Sequence, residues 1–325
     1  MIKIGVIMEL IFNFVFLVVG FVLLIKGADF FVEGAAGIAD KFHIPQMIIG
    51  LTIVAFGTSA PEAAVSISAG LKGTAGIALG NILGSNIMNI LIILGITCCI
   101  CSLNVQKATV KFDMPFLILV SLVLLALCII QGELNVISGV IFTVLFIIFF
   151  IQMIRTTKKE RQLKVEKEEQ EKITKKRNIW LLIVMTFGGL VAIVFGSDLT
   201  VDHATEIASA FGMSESLIGL TVIAFGTSLP ELITSITAAR KGNADIAIGN
   251  TIGSNIFNIL FVLAITSFLT NIPIEVEFII DGMIGLLSAI VLYLFSVKDK
   301  RLDRKNGIIM ISGYVIYFVY LLIAR

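Results

Sequence analysis

Apolar residues fall along this chain in runs of about twenty, long enough to cross a bilayer as helices. Ten such spans are predicted, near residues 8–27, 43–70, 75–101, 113–131, 134–154, 179–197, 214–239, 244–270, 277–297 and 306–324. Only the stretch from Arg155 to Arg177, RTTKKERQLKVEKEEQEKITKKR, is strongly charged and poor in apolar residues. It divides the chain into two halves of five spans, residues 1–154 and 179–325, with 155–178 as a cytoplasmic linker. Charge blocks are mostly solvated connectors, and this one is too short for a folded domain, so a lipid-sensing role is the weaker reading. The segment from Asp29 to Lys41 is amphipathic, and either lies at the interface or prolongs the first helix. Asp198 to Glu215 is its counterpart after the sixth span.

The halves repeat one another. IGLTIVAFGTSAPEAAVSISAGLKGTAGIALGNILGSNIMNILIILGIT, residues 49–97, aligns without a gap on IGLTVIAFGTSLPELITSITAARKGNADIAIGNTIGSNIFNILFVLAIT, residues 218–266. About three positions in five are identical, and such self-similarity governs the reading of the whole chain. The likeness extends upstream, where GADFFVEGAAGIADKF resembles GSDLTVDHATEIASAF.

Composition supports the membrane reading. The chain is 58% hydrophobic and 14% charged, against about 25% charged in soluble domains. Its net charge of +1 gives no pointer to nucleic acid. Cys98, Cys99, Cys101 and Cys128 lie in or beside apolar runs, in neither a zinc pattern nor a disulfide framework, and read as small hydrophobes. The first run is followed by Lys26-Gly-Ala-Asp29 instead of a small-residue cleavage site, so it is expected to be a retained helix.

Lysine and arginine orient the spans, because loops rich in them stay in the cytoplasm. Lys41, Lys107, Lys111, the linker, Arg240, Lys241 and the run Lys298 to Lys305 fall on one side. Lys3, Lys72 and Arg325 fall on the other, with Glu133, Glu275, Glu277 and Asp281. Both termini are therefore expected to be extracytoplasmic in a multi-pass protein of the cell membrane. Five spans per half also invert the second copy relative to the first. Inverted repeats build many secondary transporters, with the site at the midplane where they meet.

The candidate chemistry lies in the repeats. GTSAPE, Gly57 to Glu62, and GTSLPE, Gly226 to Glu231, interrupt apolar runs. Pro61 and Pro230 lack an amide hydrogen and must kink or open their helices. In lipid this is tolerated only where the freed carbonyls face protein or a water-filled cavity. Carbonyls of Ala55, Thr58, Ala224 and Thr227, and hydroxyls of Thr58, Ser59, Thr227 and Ser228, thus become candidate oxygen ligands. A carboxylate in such a place costs about 3 kcal/mol or more, which makes Glu62 and Glu231 functional candidates. Inversion would bring the two together, and they would repel unless a cation or protons lay between them.

The second motif is GNILGSNIMNI, Gly80 to Ile90, matched by GNTIGSNIFNI, Gly249 to Ile259. Ser85 and Asn89 are one helical turn apart and share a face, as do Ser254 and Asn258, so all four join the ligand set. Asn81 and Asn250 are ligands or helix–helix contacts. Asn86 and Asn255 lie about 100° round the helix and read as helix–helix contacts. Carboxylates, carbonyls, hydroxyls and amides make an all-oxygen cage suited to a hard cation, above all calcium. Asp113 and Asp281, near span starts, are expected at the interface, and His43 and His203 in loops without a role.

At these paired motifs the chain resembles the sodium/calcium exchanger branch of the cation/calcium exchanger superfamily, in a compact prokaryotic form. The resemblance covers essentially the whole chain. It implies ten helices as two inverted five-helix repeats, with the first and sixth sliding against the rest in alternating access. It implies that Glu62 and Glu231 coordinate calcium and sodium, with backbone oxygens near Ala55, Thr58, Ala224 and Thr227. Hydroxyls of Ser59, Ser228, Ser85 and Ser254 match sodium ligands. Some relatives, among them potassium-dependent exchangers and some prokaryotic ones, carry an aspartate where this chain has Asn258, and the family pattern then implies no potassium requirement.

The function that follows is antiport of Ca2+ against Na+, both bound transiently as cargo, with no cofactor and no protein partner implied. A cation/proton antiporter using the same glutamates is the alternative, since a carboxyl in an apolar surround can titrate near neutral pH. A channel uses similar oxygens, but inverted repeats meeting at a blocked midplane favour a transporter. No nucleophile–base pair suggests an enzyme.

Overall fold

The computed structural model describes residues 2–73, 75–168, 178–212 and 224–324. The first helix, α1 (Ile2–Lys41), runs on through the amphipathic segment without a break, which settles how that segment is placed. After a turn at His43, α2 (Gln46–Thr58) and α3 (Ala60–Leu71) form one span bent by 51°. Then come α4 (Ala75–Ile100), α5 (Thr109–Gln131) and α6 (Val136–Glu168), the last continuing into the predicted linker. The rest of the linker, 169–177, lies outside the described residues.

The second half repeats the order. A long α7 (Ile179–Ala210) is followed by a short α8 (Ala224–Thr227), α9 (Leu229–Arg240), α10 (Ala244–Leu269), α11 (Val276–Asp299) and α12 (Arg304–Ala324). The opening of the predicted seventh span, residues 214–223, lies outside the described residues. Among those described, eight helices and the bent pair α2–α3 are long and apolar enough to cross a membrane.

Two short strand pairs supply the tenth span by parity. β1 (Leu103–Asn104) pairs antiparallel with β4 (Arg301–Leu302), and β2 (Glu133–Leu134) with β3 (Ile272–Pro273). Paired strands must sit on the same membrane face. Between β1 and β4 lie α5, α6, α7, α10 and α11, an odd number of crossings, and between β2 and β3 lie α6, α7 and α10, again odd. Each strand meets its partner only if the segment ending in α9 also crosses. Each pair joins one half to the other, as inverted repeats require.

Burial identifies the centre. In α4 and α10, 83% and 78% of the most apolar stretch is buried, against 17% in α1 and in α12. The outer helices turn Phe12, Phe14, Ile316 and Ile323 outward, as lipid permits. Helix α1 packs antiparallel along α7, and glycines permit the approach. A Cβ on Gly189 would lie 2.5 Å from the Phe31 amide nitrogen, and one on Gly196 2.7 Å from that of Leu24. Small residues serve this purpose where lipid offers no hydrophobic drive between helices.

Two expectations are corrected. His203 is in α7, not a loop; its Nδ1 lies 2.8 Å from Asn13 Oδ1 of α1, and its ring packs on Phe12 and Phe16. Asp281 is buried within α11, not interfacial, and accepts a hydrogen bond from the Tyr317 hydroxyl of α12 at 3.0 Å. Position along a span did not reveal that a phenol from another helix would cover this carboxylate.

Candidate cation site

The break between α2 and α3 falls at Ser59, whose ψ of 8° leaves the helical range. Pro61 follows in the first turn of α3, where a missing amide is tolerated. The second copy does the same, with Ser228 at ψ 4° and Pro230 in the first turn of α9. Each break puts a serine at the corner and a glutamate one turn into the following helix. Glu62 and Glu231 are each 1% exposed.

Of the four carbonyls named as candidate ligands, that of Ala55 keeps its helical hydrogen bond. Ala55 O still accepts the Ser59 amide at 3.0 Å, and the Ser254 hydroxyl approaches it at 3.5 Å. Proline at 61 or 230 instead deprives the carbonyl four residues earlier, Gly57 or Gly226. The Ser197 hydroxyl of α7 donates to Gly226 O at 2.9 Å. Ser197 escapes a reading based on the repeat because its equivalent in the first half is Ala28.

Hydrogen bonds tie the breaks to the central helices and across the halves. Ser59 Oγ donates to Glu231 Oε1 at 2.8 Å. Thr58 Oγ1 lies 3.0 Å from Asn250 Oδ1, and Asn250 Nδ2 donates to Ser235 Oγ at 2.9 Å and to Glu231 O at 3.3 Å. Asn81 repeats the latter contacts in the first half, donating to Ser66 Oγ and Glu62 O at 2.9 and 3.3 Å. Asn81 and Asn250 are thus engaged in holding the glutamate-bearing helices. Asn86 and Asn255 bridge α4 and α10, each donating to the other's backbone carbonyl, at 3.3 and 3.0 Å. Asn89 and Asn258 open equivalent wide turns, Asn89–Leu94 and Asn258–Val262, of the kind frequent at functional sites.

Several oxygens of the candidate site are among the buried polar atoms that these bonds leave over. Glu62 Oε2, Glu231 Oε2, Asn89 Oδ1, Asn258 Oδ1 and Ser228 Oγ are all buried and make no well-formed hydrogen bond, although the Ser228 hydroxyl lies close to the Glu62 carboxylate, as Ser59 does to that of Glu231. Buried polar atoms are normally paired, because an unmet acceptor keeps its full desolvation cost. Two carboxylates among neutral oxygens form an electronegative centre that a desolvated cation would stabilise. Among the described residues no group of three or more His, Cys, Asp or Glu side chains is placed to hold a metal ion. Of the other candidates, Ser85 and Ser254 are buried on α4 and α10, Thr227 is engaged in an interaction, and Ala224 opens α8.

Comparison with known proteins agrees with this architecture. A family model for the sodium/calcium exchanger protein matches residues 12–155 and 181–323. The inner membrane protein YrbG of Escherichia coli K12 is 33% identical over 310 residues, 94% of this chain and 95% of its own length. The sodium/calcium exchanger MaX1 of Methanosarcina acetivorans is 29% identical over 348 residues, 95% of this chain and 98% of its own. A structure of the sodium-calcium exchanger NCX_Mj, soaked with zero Na+ and Ca2+, superposes with a TM-score of 0.84 at 32% identity, over 96% of this chain and 99% of that one. With matched stretches that fill both halves and skip the charged linker, the chain belongs to the sodium/calcium exchanger protein family, and is a transporter, not an enzyme.

Proposed function

We propose that this protein exchanges Ca2+ for Na+ across the cell membrane by alternating access at the buried site between its halves. The observation that carries this reading is the set of unpartnered buried oxygens, two of them carboxylate, on the broken helices and the central pair. Glu62 and Glu231 bind the cations, with Ser59, Ser228, Thr58, Thr227, Ser85, Ser254, Asn89, Asn258 and the carbonyls of Ala55 and Ala224 completing the cage. Their two charges are balanced by one Ca2+ or by several Na+ in overlapping positions, so the two ions compete. An empty, doubly negative site is held back by the cost of carrying bare charge past apolar walls. Occupancy is then required for each crossing, and exchange is obligatory. The halves comprise residues 1–154 and 179–325, the linker 155–178 is cytoplasmic and both termini are extracytoplasmic.

The test is Ca2+ efflux from loaded vesicles containing the purified protein. An inward Na+ gradient is expected to drive efflux, and a proton gradient of matched size to leave it near background. With asparagine at 258, the rate is expected to be the same with and without K+. Efflux driven by protons alone would replace Na+ by H+ as the coupling ion.

A further inference from the structure

An amide's oxygen and nitrogen have nearly the same shape, so what each one faces decides how an asparagine is turned. At the centre of this site that choice is forced by two backbone carbonyls, which only accept. Asn255 Nδ2 faces Asn86 O at 3.0 Å, so Asn255 Oδ1 must point the other way. There it meets Asn89 at 2.9 Å, which can only present Nδ2. Asn89 Oδ1 is therefore turned away from the bridge, and it is one of the unpartnered buried oxygens. The same chain of constraints runs in mirror order. Asn86 Nδ2 faces Asn255 O at 3.3 Å, Asn86 Oδ1 accepts from Asn258 Nδ2 at 3.1 Å, and Asn258 Oδ1 is left over.

We propose that Asn86 and Asn255 are positioning residues that turn the amide oxygens of Asn89 and Asn258 toward the transported cation and their NH2 groups away from it. This rests on the cation-exchange reading above. Unconstrained, an asparagine could offer a cation its NH2 group, which repels it. Four interlocked amides remove that choice without adding charge. The crossing of the bonds has a further effect: each half of the protein orients the ligand asparagine of the other.

The experiment measures Ca2+ binding to the purified full-length protein by calorimetry, with Na+ competition as a second readout. Asn255→Ala is expected to weaken Ca2+ binding about tenfold. In an Asn89→Ala background the same change is expected to add little, because the ligand it orients is gone. A merely structural contact would weaken binding by the same factor in both backgrounds, and that result, or unchanged binding in the single variant, would overturn the proposal. If Asn255→Ala does not fold, Asn86→Ala read against Asn258→Ala makes the same test. Absence of Ca2+ binding by the unaltered protein would instead overturn the exchange reading itself.

The geometry points to a second inference, carried by a different observation. Residues equivalent in the two halves are 169 positions apart, as Asn86 and Asn255 are. Lys241 in the α9–α10 turn lies 3.3 Å from Asp29 Oδ1 and 3.7 Å from Glu33 Oε2, and donates to Asp29 O at 2.8 Å. The equivalents are Lys72, Asp198 and Asp202, and no ion pair joins them. Packing follows suit, since α1 lies along α9 whereas α7 has no comparable contact with α3. One face is latched and the other is not, and the latches exchange when the site opens to the opposite side.

Exchange rates in vesicles test this, because Lys72→Glu disturbs a contact that exists only in the other state. Exposed ion pairs contribute up to about 1 kcal/mol, so Lys72→Glu and Lys241→Glu are each expected to slow exchange about two- to fivefold. Adding Asp198→Lys and Asp202→Lys to Lys72→Glu is expected to restore the rate. An unaffected Lys72→Glu variant, or failure of that restoration, would overturn the second latch while leaving exchange by the unaltered protein in place.

Discussion

Glu62→Gln or Glu231→Gln is expected to reduce Ca2+ exchange at least about a hundredfold and leave the protein folded. Glutamine has nearly the volume of glutamate, so packing around α3 and α9 is preserved. The anchoring contacts survive too, because Asn81 and Asn250 bond the backbone carbonyls of these residues, and the Ser59 hydroxyl can donate to an amide oxygen as it does to Glu231 Oε1. What is lost is one of two charges, and a removed partner around a buried ion costs on the order of 3–5 kcal/mol. The sign of the stability effect separates a binding role from a structural one. In cation-free buffer each variant should melt no lower than the unaltered protein, since it no longer buries an unpartnered carboxylate oxygen. With Ca2+ added, only the unaltered protein should gain stability, as binding to the folded state alone requires. A variant that still exchanges, or that melts lower without Ca2+, would sink the assignment.

Gly253→Val is expected to have the largest structural effect, destabilising the protein by about 3 kcal/mol. A Cβ at Gly253 would lie 2.7 Å from both Leu51 O and Ala55 Cβ, and 2.8 Å from Leu51 Cα. Backbone atoms of a buried helix cannot step aside as the end of a side chain can. One turn earlier, a Cβ at Gly249 would lie 2.8 Å from Met47 O. These glycines seat α2 against α10 and so set Thr58 beside Asn250 and Ala55 beside Ser254. Valine would pry the crossing open and separate the two halves of the site, so exchange should fall even in the fraction that folds. Gly313→Ala is the contrasting change, since its Cβ would meet only Leu91 Cδ1 at 3.9 Å. Thermal unfolding in detergent, with exchange measured on the folded fraction, checks both; equal tolerance of the two would mean the α2–α10 contact is not tight.

Much of the architecture was legible in the chain because lipid allows few solutions. A run of about twenty apolar residues can satisfy its backbone only as a helix, so hydropathy alone counts the spans. Glu62 and Glu231 stood out for the same reason, as carboxylates in apolar runs beside a proline. Asn86 and Asn255 were legible as contacts between helices from their angle round the helix, but not as the groups that turn Asn89 and Asn258. Ser197 was illegible, because pairing positions across the repeat leads to Ala28, which has no hydroxyl to offer. Asp281 was misread, since its place near the start of a span carries no sign of Tyr317, thirty-six residues away.

By itself, then, the sequence determined the spans, the inversion and the two carboxylates, because each follows from local hydropathy, from parity and from a repeat aligned without gaps. Only the tertiary structure decided which oxygens are left over. A donor finds its acceptor across the halves, as Ser59 does with Glu231 and Asn89 with Asn255, and the turn of an amide depends on the carbonyl that happens to face it. Part of that remainder supplies the proposed site with two carboxylate oxygens, two amide oxygens and a hydroxyl, all desolvated.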